Sequence, residues 1–145
     1  MIKLRFSEGC EPTYATRESA GADLRAREDK TIPPGGRERV PAGVWIVGVD
    51  WDRVPAGQIP ELQIRARSGL AFRHGIGLPN GVGTIDADYR DEIAVLLQNP
   101  GKDPFVIRKG DRIAQMMLNT VFRISELKAE GERSGGFGST GIRET

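Results

Sequence analysis

Leu62-Gln63-Ile64-Arg65-Ala66-Arg67-Ser68-Gly69-Leu70-Ala71 contains the two patterns that decide the fold of this chain. Its first four residues alternate apolar and polar, the two-residue period of a half-buried strand. From Ser68 to about Arg73 one short helix is expected, with Ser68 able to cap its N-terminus. Elsewhere nineteen glycines and nine prolines, spread along 145 residues, break up helices and suit short strands joined by turns. Further strands are expected at Ile2–Phe6, Gly43–Val49, Ile93–Gln98, Phe105–Ile107, Ile113–Leu118 and Val121–Ile124. Val44-Trp45-Ile46-Val47 is continuously apolar, which predicts a strand covered on both faces. Pro33-Pro34-Gly35-Gly36, Pro41-Ala42-Gly43 and Asn99-Pro100-Gly101-Lys102 are turn signals. The pattern is that of an all-β sandwich or barrel, in one domain without an internal repeat.

Composition excludes several function classes. A formal charge of +1, from 21 basic and 20 acidic residues, gives no electrostatic case for a nucleic-acid or membrane partner. An anionic ligand must therefore meet a local cluster of donors. Cys10 is the sole cysteine, so no intrachain disulfide can form and a cytoplasmic location is the default expectation. His74 is the sole histidine, which removes His-His and Cys-His metal sites within one chain. The segment Met1-Ile2-Lys3-Leu4-Arg5-Phe6 alternates apolar and basic residues, a pattern not expected of a signal peptide. No apolar run approaches the roughly 20 residues of a membrane helix.

Four segments carry polar groups where a β-protein needs loops. Ser19-Ala20-Gly21-Ala22-Asp23-Leu24 sets one acid after small residues, which is either a turn aspartate or a site where backbone approaches a ligand closely. Arg65-Ala66-Arg67-Ser68-Gly69 opens the helix; it is either a cap with two solvated arginines or a phosphate site using amides, a guanidinium fork and a hydroxyl. Asn80 through Glu92 packs four carboxylates into seven residues beside a Gly-rich loop. It reads equally as a charged hairpin with a packed Tyr89, or as a general base beside a loop whose backbone reads a base edge. In Lys109-Gly110-Asp111-Arg112-Ile113-Ala114-Gln115-Met116, Asp111 and Arg112 can form a surface pair, while an inward Gln115 would need a partner.

The end of the chain differs in character. Gly131 to Gly141 holds five glycines in eleven residues and a single aromatic ring, Phe137. Such a segment has no periodic apolar face, which suits a tail without a core contact. A lone ring among glycines also suits a lid that stacks on a planar ligand.

In order, Ala20-Gly21-Ala22-Asp23-Leu24, Arg67-Ser68-Gly69-Leu70-Ala71, Asn80 through Arg90, Gly110-Asp111-Arg112-Ile113-Ala114-Gln115 and Gly135-Gly136-Phe137-Gly138-Ser139-Thr140-Gly141 resemble the five motifs of the trimeric dUTPases. The resemblance implies a jelly-roll-like distorted β-barrel with one short helix, forming a homotrimer whose three sites combine segments of different chains. Residues 1–130 would form the β-domain, and residues 131–145 a mobile C-terminal lid of the same domain. The implied reaction is Mg²⁺-dependent hydrolysis of dUTP to dUMP and pyrophosphate, which keeps uracil out of DNA and supplies dUMP for dTMP synthesis.

Carried over residue by residue, Asp86 would activate the water that attacks the α-phosphorus. Asn80, Gly83 and the backbone around Val82 would read uracil, and Tyr89 would pack under the deoxyribose. Arg67, Ser68, Gly69 and Gln115 would hold phosphates, with Arg133, Ser139 and Thr140 near the γ-phosphate and Phe137 stacked on uracil. Asp23 would orient water around Mg²⁺, itself held mainly by substrate phosphates, and Asp111 would position neighbouring groups.

Three departures from the family pattern stand out. Arg133 lies four residues before Phe137 where the family usually has five, Asp91 replaces the usual Gly, and Ala66 replaces the usual Pro. The Asp91 change is expected to alter a turn or add an ion pair, and the Ala66 change to affect rigidity. Deoxycytidine triphosphate deaminases share the fold and resemble the Arg67-Ser68 region, but typically carry Trp where Tyr89 stands and a distinct catalytic Glu. A third reading, a non-catalytic β-trimer, would be favoured by loss of Asp86, Arg67-Ser68 or Phe137, all of which are present.

Overall fold

The computed structural model describes residues 1–127, 131–133, 135–139 and 141–142. It is an all-β, jelly-roll-like fold with eleven strands, one α-helix and one 3₁₀ turn among these residues. A five-stranded sheet runs in the order β2 (Thr13–Tyr14), β3 (Ala22–Arg25), β11 (Arg112–Phe122), β7 (Gln58–Arg65), β8 (Gly83–Asp86). Three antiparallel pairs complete the fold: β1 (Ile2–Phe6) with β6 (Val44–Val49), β4 (Lys30–Ile32) with β10 (Phe105–Ile107), and β5 (Arg37–Pro41) with β9 (Ala94–Gln98). The core between them is aliphatic, with Leu24, Ile32, Val40, Val44, Ile93 and Ala114 wholly removed from solvent.

The strands that alternate apolar and polar residues are where the sequence places them, to within a residue at Val44 and Ala94. The differences have local causes. Gln58–Arg65 forms one strand that extends beyond the expected Leu62 start, because Pro60 is buried within it opposite Thr120 and pairing continues to Gln58. The two expected strands 113–118 and 121–124 are a single strand, Arg112–Phe122; Asn119 and Thr120 interrupt the apolar pattern but stay paired with Glu61 and Pro60. Strands β3, β4, β5 and β8 are short, and each adds only a few apolar residues to the core, such as Leu24, Ile32, Val40 and Ile85, beside the backbone pairing with its neighbour.

Two expectations are corrected. Val44–Val47 is not covered on both faces: Val44 and Ile46 are buried, but Val47 is 52% exposed, because β6 pairs with β1 and presents alternate residues to the core. On the outer face the Arg5 guanidinium lies 4.1 Å from the Trp45 ring centre. The helix α1 spans Ser68–His74, but its N-cap is Arg67 and no side chain makes a capping hydrogen bond. Arg67 instead turns its guanidinium toward Asp23 and the carbonyl of Arg112, which leaves the Ser68 hydroxyl free of the capping role. None of the described helices is long and apolar enough to cross a membrane.

Candidate active site

Sheet register builds the first group of polar residues. Strand β11 lies between β3 and β7, and Gln115 stands opposite Asp23 on one side and Arg65 on the other. Asp23 is 3% exposed, an unusual position for a carboxylate without compensation. Two guanidinium groups compensate it, Arg67 Nε at 3.3 Å from Oδ1 and Arg112 Nη1 at 3.4 Å from Oδ2. The Arg67 contact is close enough for ion pairing but lacks hydrogen-bond alignment, so Oδ1 is buried without a hydrogen-bond partner. Arg67 also donates to the Arg112 carbonyl at 3.2 Å, tying the start of α1 to β11. Beside this group Ser68 and Gly69 are exposed, and half-buried Gln115 makes no side-chain hydrogen bond among the described residues. Asp111 acts on its own turn, where Oδ2 accepts from the Arg108 amide at 2.9 Å.

The second group is built by β8. This strand pairs with β7 through Glu61↔Asp86 to Ile64↔Gly83 and ends the sheet, so its other edge has no strand partner among the described residues. An unpaired strand edge offers backbone donors and acceptors to a ligand. Gly83 lies in close approach to its neighbours, since a Cβ there would be a tight 3.1 Å from Ile64 Cβ and 3.5 Å from Asn80 Nδ2. After Asp86 the chain turns sharply, and the Tyr89 amide donates to the Asp86 carbonyl at 3.1 Å. That turn fixes the carboxylate and the ring relative to each other. Tyr89 is buried, and its hydroxyl donates to the Glu92 carbonyl at 3.1 Å. Burial, with a further push from Asp91, raises the phenol above its ordinary pKa.

Asn80, Gly83, Asp86, Tyr89, Arg133 and Phe137 share one cleft of about 580 Å³, whose floor includes Ile64, Leu78 and Val95. From the glycine-rich end of the chain, Arg133, Gly136, Phe137 and Gly138 contribute to its lining. A Cβ on Gly136 would lie 2.7 Å from Tyr89 Cε2, so only glycine allows the backbone to lie this close to the ring. Phe137 adopts φ 50° and sits beneath Arg39, whose guanidinium carbon is 5.0 Å from the ring centre. Arg133 pairs with both Asp86 and Asp88, the latter at 2.8 Å. The hydrogen bond to Asp88, partly offset by desolvation, and then the charge of Asp86 raise the Arg133 pKa.

The dUTPase family model matches residues 8–141, which takes in both groups and the glycine-rich end. The chain belongs to the dUTPase family. It is 46% identical over 135 residues to a deoxyuridine 5'-triphosphate nucleotidohydrolase of Anaeromyxobacter sp. (strain Fw109-5), covering 90% of this chain and 86% of that protein. A protein of the same name from Rickettsia massiliae (strain Mtu5) is 47% identical over 147 residues, covering 97% and 94%. Among solved structures, the dUTPase from Streptococcus mutans superposes with a TM-score of 0.73 at 26% identity, covering 84% of this chain and 98% of that one. The dUTPase from phage phi11 of S. aureus shares the fold, with a TM-score of 0.70 at 18% identity over 92% of this chain and 99% of that one.

Within this family member the predicted site residues fall into two sets. Asp23, Arg67 and Gln115 gather on the β3–β11–β7 face and contribute nothing to the cleft lining, while Ser68 and Gly69 open the adjacent helix. Val82 is 49% exposed and Ser139 lies in the turn after Phe137, both outside the cleft lining; Thr140 lies outside the described residues. Asp91 neither strains the backbone, since its φ is not positive, nor forms an ion pair among the described residues. Ala66 simply packs against the core.

Sequence reading missed the support beneath Tyr89. Glu92 accepts from Arg27 Nε and Nη2 at 2.7 and 3.0 Å and from the Gly43 amide at 2.8 Å, which anchors the segment holding the Tyr89 hydroxyl. Arg27 and Gly43 lie far from Glu92 in sequence, so no local pattern signals this clamp.

Proposed function

We propose that this dUTPase-family protein hydrolyses dUTP to dUMP and pyrophosphate, keeping uracil out of DNA and supplying dUMP for dTMP synthesis. The observation that carries the reading is the separation of the two residue groups. The cleft brings together Asn80, Gly83, Asp86, Tyr89 and Phe137, whereas Asp23, Arg67 and Gln115, read here as the phosphate-side group, do not line it. A complete site then joins the cleft of one copy to the Asp23–Arg67–Gln115 group of a second, which supports a homotrimer with composite sites. Residues 131–145 act as its lid.

In this mechanism Asn80, Gly83 and the backbone near Val82 bind the edge of uracil, and Tyr89 packs under the sugar, leaving no room for a 2′-hydroxyl. A polar site that reads a hydrogen-bonding edge can reject the wrong base by roughly 10⁴–10⁵. Thymine differs only by a methyl group, so its exclusion rests on tight packing at the glycines. Asp86 takes a proton from water; the water oxygen bonds to the α-phosphorus as the α–β bridge breaks and pyrophosphate leaves. A carboxylate paired with a guanidinium is a poor base, so Arg133 leaves Asp86 when substrate arrives. The γ-phosphate, with Ser139 and Thr140 nearby, offers it a stronger partner. Arg67, Ser68, Gly69 and Gln115 hold the remaining phosphate oxygens, while Asp111 keeps the turn before β11 in place.

The residues fit Mg²⁺ held mainly by phosphates. No cluster of three or more His, Cys, Asp or Glu forms a metal cage among the described residues, but Asp23 Oδ1 is a buried acceptor without a hydrogen bond, suited to metal-bound water. When bound, the ion would neutralise phosphate oxygens as charge moves onto the leaving group. The test is pyrophosphate release from dUTP, dCTP, dTTP and UTP, each with and without Mg²⁺. Release from dUTP alone, dependent on Mg²⁺, is expected; ammonia release from dCTP would transfer the protein to the deaminase reading.

A further inference from the structure

The cleft has a wall that the family's five motifs do not supply. Arg39 lies on β5, outside all five, and its strand is fixed by Leu96 on β9. Its side chain lines the nucleoside cleft together with Phe137 and Gly136, and its guanidinium lies over the Phe137 ring at 5.0 Å. Phe137 also lines a second cavity of about 620 Å³, where Arg39 appears again with Asp91 and Glu92. The ring therefore borders both cavities, with the Arg39 guanidinium over one of its faces. Arg39 is exposed and forms no ion pair with a carboxylate among the described residues, so its charge is free to act on the ring. A guanidinium over an aromatic face is an attractive arrangement that strengthens as water is excluded.

We propose that Arg39 is a lid-positioning residue, which holds the Phe137 ring from behind so that its other face is presented to the base. The inference rests on the reading of the cleft as the uracil site. Guanidinium, ring and base then form a three-layer stack. Two layers belong to the protein before substrate binds, so the ring loses less orientational freedom on closure. The contact is defined by the cleft. It is the same whether the arm that fills a given cleft comes from the same chain or from a neighbour in a trimer.

The experiment compares the full-length protein with Arg39→Met, Arg39→Lys, Phe137→Ala and the Arg39→Met/Phe137→Ala double variant. Arg39→Met keeps the aliphatic length and removes the cation. It is expected to raise KM for dUTP about threefold to tenfold with kcat little changed. Arg39→Lys recovers part of that loss, and Arg39→Met adds nothing once Phe137 is alanine. Hydrogen exchange without ligand supplies a readout independent of turnover. Arg39→Met should speed exchange in the peptide containing Gly135 to Ser139 and leave β5 and β9 unchanged. An unchanged KM and unchanged arm exchange, or an equal KM rise in the Phe137→Ala background, would overturn the proposal. If the unmodified protein releases no pyrophosphate from dUTP, the functional reading fails, and the exchange experiment alone then decides whether Arg39 holds the arm.

Discussion

Asp86 and Asp23 are both carboxylates on the same five-stranded sheet, yet they occupy opposite chemical situations. Asp86 ends an edge strand with its side chain 54% exposed beside a cleft, and its partner Arg133 comes from the glycine-rich end of the chain. Asp23 is buried against the central strand, and its partners Arg67 and Arg112 come from the sheet and the helix entry. An acid that must exchange a proton with substrate water has to be reachable, and its countercharge has to be removable. An acid that organises cations needs neither property, so it can be part of the core. In the proposed reaction this difference suits Asp86 to proton transfer and Asp23 to organising the charges around it.

The sharpest way to break this contrast is Asp86→Asn. The exposed amide keeps the shape and leaves the sheet pairing of Asp86 with Glu61 in place, so the folded state should persist. Turnover should fall by roughly 10²–10⁴, the usual worth of a positioned base, with dUTP binding retained. Rapid-quench measurement of dUMP formation together with equilibrium binding of an imido analogue checks both halves. Near-native turnover would mean that another group is the base.

Asp23→Asn should show the reverse balance. It leaves the Arg67 and Arg112 guanidinium groups without their buried countercharge, and both are themselves only partly solvated. A loss of about 1–3 kcal/mol in unfolding free energy is expected, read from urea denaturation. The Mg²⁺ concentration needed for half-maximal rate should rise as well. Equal stability of the Asp23→Asn and Asp86→Asn proteins would remove the distinction between the two acids.

How much of this was legible beforehand follows the same line. Local period marked β1, β7, β9 and β10, because each has an apolar face of its own. Strand β3 was not legible: Ala22-Asp23-Leu24-Arg25 reads as a cramped loop, and only β11 on one side and β2 on the other make it a strand. In the cleft, the order of glycines, acids and Tyr89 along Asn80 to Arg90 was informative because those residues act through neighbouring positions on one strand and turn. Arg39 and the Arg27–Glu92 clamp were not, since each works through a partner on a distant segment. The helix cap failed for a related reason, as Arg67 answers to Asp23 more than to its own helix.

The finest test concerns the platform beneath the cleft. Tyr89→Phe keeps the ring and deletes the hydroxyl that donates to the Glu92 carbonyl, at a cost of about 0.5–1.5 kcal/mol near neutral pH. The cost should also depend on pH. Burial holds the Tyr89 phenol above its ordinary value in the folded state, so the unfolded chain ionises first as pH rises. A group with a raised folded pKa contributes stability that is fully present below the unfolded value, about 10 for tyrosine, and is lost as pH climbs through the folded one. The unmodified protein should therefore lose more stability than Tyr89→Phe above about pH 10, and the two curves should converge there. Parallel curves across the alkaline range would show that the ring sits in a wetter place than its burial implies. The rigid base of the cleft would then have to be assigned to the Arg27–Glu92 clamp alone.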